Sequence, residues 1–173
     1  FTVGCYLRNM ERLCYPAAVI REEINWWLKA AEDVDLASKQ AEREYAAIPK
    51  IRFSAGDFQA MLITADNYMV SGVAAHDADI VVVKRSSGHA VFLSRRLDLS
   101  NLAREIKGKE PDDRWYYHAA MGNLINGGKV YGGNECGAAT PTAFSGEELA
   151  ELLKKFPPKK KERPPVQHSR RLY

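Results

Sequence analysis

The 173-residue sequence predicts an α/β fold: a small mixed β-sheet with flanking helices, preceded by a long linker-type helix and followed by a basic, Pro-rich tail. Three observations carry this. Residues 17–48 keep a helical apolar period with no interruption. Between 58 and 156, runs of β-branched residues then alternate with amphipathic runs. Finally, Pro157-Pro158 opens a stretch of lysine and proline that lacks the apolar content to build a core.

The long helix is read from "AAVIREEINWWLKAAEDVDLASKQAEREYAAI", in which Ile20, Ile24, Trp27, Leu28 and Ala31 recur at helical spacing. Its later turns carry few large apolar groups, so it is expected to pack at its early end and connect at the other. Trp26 and Trp27 are read as core or linker-packing residues. Pro49 is expected to end the helix. "FQAMLIT" (58–64) reads as a buried strand and 67–77 as a short helix. "DIVVVKRS" (79–86) is the densest β-branched run; "SSGH" (86–89) has hairpin-turn chemistry, and "AVFLSRR" (90–96) is the returning antiparallel strand. "DLSNLAREI" (98–106) is expected to be a helix opened by a side-chain cap at Asp98 or Ser100.

Beyond a polar loop at 107–113, "RWYYHAAMGNLI" (114–125) is expected to be a further helix, aromatic at its start, and "AATPTAF" (138–144) a strand. Ser145 and Glu148 have the spacing of a capping box at the start of a last helix, 145–156, which Pro157-Pro158 stops. The organisation expected is thus 1–49, N-terminal segment and helix; 50–156, α/β domain; 157–173, tail.

Hydrophobic residues at 46% and charged residues at 27% are ordinary for a globular protein, and a chain of this length buries roughly two thirds of its unfolded surface. No apolar run reaches membrane-spanning length, so no membrane partner is expected. The three cysteines Cys5, Cys14 and Cys136 form no C-x-x-C pair, which fits a reducing, cytoplasmic setting. The net charge of +3 is unevenly placed: residues 157–173 carry +5, leaving −2 for the remainder. A basic tail of this kind suits a polyanion or a larger assembly.

The segment "NGGKVYGGNECGAAT" (126–140) holds five of the chain's glycines in fifteen residues. A flexible loop is the plain reading. The alternative is an anion cradle, in which clustered turns aim several N–H groups at one point. The spacing fits neither a Walker motif nor a dinucleotide fingerprint. Cys136 within it is a candidate nucleophile, or simply a small residue that fits. His76, Asp77 and Asp79 in "AHDAD" read as turn and capping residues before metal ligands. Trp115, Tyr116 and Tyr117 are candidates for stacking on bases, although neighbours on one helix point in different directions.

The succession Ser94-Arg95-Arg96, "LDLSNLAREI" and "GGNECGAAT", followed by a strand and a closing helix, resembles the DHHA1 domain. That is the C-terminal, substrate-binding domain of DHH-superfamily phosphoesterases, which include RecJ-type exonucleases and oligoribonucleases. The similarity spans about residues 58–156, with 17–48 similar to the linker helix that joins the two domains of that family. It implies phosphate or base contacts from Arg95 or Arg96, Gly132 and Gly133, with Asn134 as a further candidate. It also implies single-stranded nucleic acid, a short oligonucleotide or another phosphate compound as ligand. Glu135 stands where the family has His, and 108–126 reads as an insertion. No D-H-H motif is present, so this chain alone is expected to be inactive. The Mn²⁺ or Mg²⁺ used by the family is expected only with an N-terminal catalytic domain preceding Phe1. The competing expectation is a non-enzymatic adaptor or structural component that makes its contacts through the long helix and the tail.

Overall fold

The structure, a computed structural model, describes Met10, Leu13 and residues 15–94, 97–110, 114–126 and 140–161. It divides into two compact units, Phe1–Arg43 and Glu44–Tyr173.

The first unit is dominated by helix α1 (Ala17–Ala47), which continues into the start of the second. Its length agrees with the apolar period, and Pro49 lies just past its end. The early turns are not packed as expected. Trp26, Leu28, Val34 and Leu36 all face solvent, and Trp26 and Trp27 meet edge to face at 4.9 Å. These two tryptophans are therefore not core residues among the described part of the chain.

The second unit is a six-stranded mixed sheet covered on one face by two helices. Its described elements are β1 (Ile51–Ala55), β2 (Phe58–Thr64), α2 (Tyr68–Ala74), β3 (Ile80–Lys84), β4 (Ala90–Ser94), β5 (Leu97–Asp98), α3 (Ser100–Lys109), β6 (Trp115–His118), β7 (Asn123–Asn126), α4 (Gly146–Lys155) and β8 (Lys159–Lys160). The strand order is β1-β2-β3-β4-β7-β6. β2 and β3 are parallel, joined by a crossover through α2, and the other neighbours are antiparallel. The hairpin at 86–89 forms as its sequence indicates: Gly88 takes φ +83°, and Arg85 N–H donates to His89 O at 2.8 Å.

Strand alternation sorts the sheet into two faces. Ala60, Leu62, Ile80, Val82, Phe92, Leu124 and Trp115 share a core with Leu102 and Ile106 of α3 and Leu149 and Leu153 of α4. The capping box on α4 is present in full: Ser145 Oγ accepts from Glu148 N–H at 3.1 Å, and Glu148 Oε2 accepts from Ser145 N–H at 2.7 Å. At α3 the cap expected at Asp98 or Ser100 is not the one formed: Leu99 is the N-cap, with no side-chain cap bond, and Asp98 before it accepts from Ser100 N–H at 2.9 Å and Ser100 Oγ at 3.0 Å.

Residues 76–79 serve as turn residues. Asp77 accepts from the Tyr45 hydroxyl at 2.6 Å and lies 3.6 Å from Arg52, while Asp79 accepts from Gln59 N–H at 2.9 Å. Burial, and then the bond to Asp77, push the Tyr45 hydroxyl up to about 12.

Three expectations need correction. Residues 114–125 are not a helix but the strands β6 and β7, joined by a tight turn at Gly122. Aromatic and β-branched residues suit a pleated surface, and Gly122 at φ +74° reverses the chain between them. The strand expected at 138–144 is absent from its described part, residues 140–144. The tail does not begin at 157: Pro158 is buried, Lys159–Lys160 pair with Leu97–Asp98, and Lys161 Nζ donates to Ala120 O at 3.0 Å.

Gly108 provides a test of helix propensity without packing. No atom lies within 4 Å of a Cβ built there. Gly108→Ala is expected to raise stability by about 0.5–1 kcal/mol, read as a higher midpoint in urea unfolding.

Candidate functional site

Alternation along β6 separates the aromatic run. Trp115 and Tyr117 point into the core face; Tyr116 and His118 point to the other. Trp115 is 2% exposed, and its indole N–H donates to Glu110 Oε2 at 2.5 Å. Tyr117 donates its hydroxyl to Asp98 at 2.7 Å and accepts from Leu99 N–H at 3.1 Å. Burial, reinforced by the Asp98 carboxylate, pushes the Tyr117 hydroxyl up to about 12. Desolvation works to raise the Asp98 carboxyl, but the bonds from Tyr117 and Ser100 outweigh it and hold the group below its ordinary value. Of the three residues expected to stack on bases, only Tyr116 thus lies on the outer face. His118 joins it there, with ring centroids 6.0 Å apart and planes at 88°.

The outer face differs along its width. Met61, Ile63, Val81 and Val83 are fully buried. Beyond them Val91, Leu93, Ile125, Tyr116 and His118 are only half-buried. Register places Val91 opposite Ile125 and Ile125 opposite Tyr116, so these side chains form one apolar and aromatic surface across β4, β7 and β6.

Arg95, Arg96, Gly132, Gly133, Asn134, Glu135 and Cys136 lie outside the described residues, but the residues that flank them are well placed. Ser94 Oγ donates to Gly122 O at 2.8 Å, tying the end of β4 to the β6–β7 turn, and Leu97 resumes in β5. The described residue before Arg95, Ser94, is thus fixed against the β6–β7 turn, and its N–H also donates to Asn123 Oδ1 at 3.4 Å. The described residues on either side of the Gly-rich segment meet at the opposite end of the β4–β7 pair. Asn126 Nδ2 donates to Thr140 O at 3.3 Å, and Asn126 Oδ1 accepts from Thr142 N–H at 3.1 Å. One buried amide thereby joins the two ends of residues 127–139.

A buried polar cluster supports this neck. Glu110 accepts from Thr142 Oγ1 at 2.9 Å and Ala143 N–H at 2.7 Å, besides Trp115. Lys84 Nζ donates to Gly88 O and Phe144 O, each at 2.8 Å. Burial lowers the Lys84 ammonium from its ordinary value, against the pull of Glu110.

His118 belongs to the aromatic run 115–118 but is not marked by sequence as a general base; a period of two places it with Tyr116. Glu110, Asn126 and Thr142 are marked by no motif in the sequence. The partners of Glu110 are up to 33 residues away, and no local pattern announces them.

Among the described residues, no group of three His, Cys, Asp or Glu side chains is placed to hold a metal ion. No described helix is long and apolar enough to cross a membrane. No family model, no curated protein and no solved structure matches this chain.

Proposed function

We propose that this chain is a binding module for single-stranded nucleic acid or a short oligonucleotide, similar in role to the DHHA1 domain of DHH-type phosphoesterases. Metal-dependent cleavage would then be the work of residues other than those described here. The observation that carries this reading is the outer sheet face. An apolar and aromatic surface bearing Tyr116 and His118 lies beside the strand end that leads into Arg95-Arg96. Bases stack on aromatic faces in a sequence-tolerant way, and a guanidinium pair supplies the phosphate contact. The Gly-rich segment that follows Asn126 in the sequence is the candidate for a second phosphate contact.

The test is anisotropy of a fluorescent single-stranded oligonucleotide at low and high salt. Arg95→Ala/Arg96→Ala should weaken binding at least tenfold and flatten its salt dependence. Tyr116→Ala should cost about 1–3 kcal/mol of binding free energy with the salt slope unchanged. A chain ending at Lys161 should bind nearly as well as the whole. Truncation at Phe156 is a poor control, because it removes β8 from the fold. Binding lost only with residues 162–173 would mean that tail charge does the work. No binding by any version would favour the assembly component, a reading supported by the exposed apolar side chains of α1.

A further inference from the structure

Part of the apolar content of α1 follows a heptad seam. Ile20, Ile24, Trp27, Ala31 and Val34, continued by the small polar Ser38, are spaced 4-3-4-3-4, which is the a/d pattern of a coiled coil, while Val19, Trp26, Leu28 and Leu36 lie off it. The four central positions of this seam stand open: Ile24 is 37% exposed, Trp27 38% and Val34 61%, Ala31 is exposed with them, and Leu28 beside them is at 59%; the end positions Ile20 and Ser38 are half-buried. Unpaired apolar surface of this kind on a helix marks an association site. The seam is also graded, with its bulk early and its small side chains late.

We infer that α1 pairs with α1 of a second copy of this chain, antiparallel and centred on residue 29. A parallel pair would set Trp27 against Trp27 and leave Ala31 against Ala31, crowding one layer and emptying the next. The antiparallel register instead sets Trp27 over Ala31, Ile24 over Val34 and Ile20 over Ser38, so every layer joins a larger side chain to a smaller one. The same register brings Leu28 against Leu28 at the centre and, on the same flank, Arg21 against Asp35, twice by symmetry. It places no like charges opposite each other, since Glu23 meets Ala37. In the parallel arrangement the flanking positions pair Glu23 with Leu28 and Ala30 with Asp35, with no opposite charges. Asp35 also accepts from Lys39 of its own helix at 2.6 Å, an exposed pair that leaves the carboxylate able to accept from Arg21 as well.

A seam of under three heptads is short, and the expected dissociation constant is on the order of 10 μM. Sedimentation equilibrium of the 173-residue chain, from about 1 μM to 1 mM, should show the mass rising from 19.4 kDa to a dimer. Trp27→Ala should raise the dissociation constant about 100-fold, with helix content by circular dichroism unchanged. At low salt, Arg21→Asp and Asp35→Arg should each weaken the dimer several-fold, and the double variant should restore it. A monomer throughout overturns the inference, as does a dimer indifferent to Trp27→Ala. A dimer that loses affinity with Trp27→Ala but is not restored by the double charge reversal overturns the antiparallel register.

Discussion

Trp115→Ala is expected to lower the unfolding free energy by about 3–5 kcal/mol. Two losses combine. The indole is 2% exposed and fills the core next to Phe92, with ring centroids 6.1 Å apart. Its N–H also provides one of the three hydrogen bonds to the buried Glu110 carboxylate. A buried charge that loses a donor carries an unpaid desolvation cost. Trp115→Phe separates the two contributions, because it keeps most of the packing and removes the donor; about 1–3 kcal/mol is expected for it. Urea unfolding followed by circular dichroism measures both. A cost below about 1 kcal/mol for the alanine variant would show that Trp115 is not the core residue described here.

Gly122→Ala is the second large effect, expected at roughly 2–5 kcal/mol. The residue sits at φ +74°, where a side chain costs about 1–2 kcal/mol by itself. A Cβ there would also stand 2.4 Å from Leu97 O and 2.6 Å from Ser94 Oγ. The carbonyl belongs to β5, which pairs with β8, so it cannot withdraw without disturbing that pair. Ser94 Oγ in turn holds the β6–β7 turn against the end of β4. The substitution should therefore do more than destabilise. It should displace Ser94 and Leu97, and weaken the oligonucleotide binding proposed above even where the protein remains folded. Gly108→Ala, with an opposite expected sign, is the internal control for alanine substitution itself.

Several elements were legible from local chemistry alone. The helix at 17–47 follows from an unbroken apolar period, and α4 from Ser145, Glu148 and the two prolines after it. The β3–β4 hairpin follows from two β-branched runs around Gly88. In each case the signal and the structure it specifies lie within a few residues of each other. The run 114–125 misled because "WYYH" and "NLIN" are too short to show a period of two, and the turn between them depends on one positive-φ glycine. β1 carries no local signal for the same reason: "IRFSA" is a short mixed edge strand whose meaning comes from pairing with β2.

The sequence by itself determined the α/β class, the order of the main helices and strands, the capping of α4, and the apolar seam of α1. Those features rest on periodicity and on side-chain to backbone bonds a few residues long. Only the tertiary structure decided which face of β6 each aromatic takes, placing Trp115 in the core and Tyr116 with His118, half-buried, on the outer face. It also decided that Lys159 and Lys160 belong to the fold, and that Asn126, Thr142 and Glu110 close the neck of the Gly-rich segment. These outcomes depend on strand register and on hydrogen bonds between residues far apart in the chain. Such partners are chosen by the packing of the whole core, which no local stretch of sequence encodes.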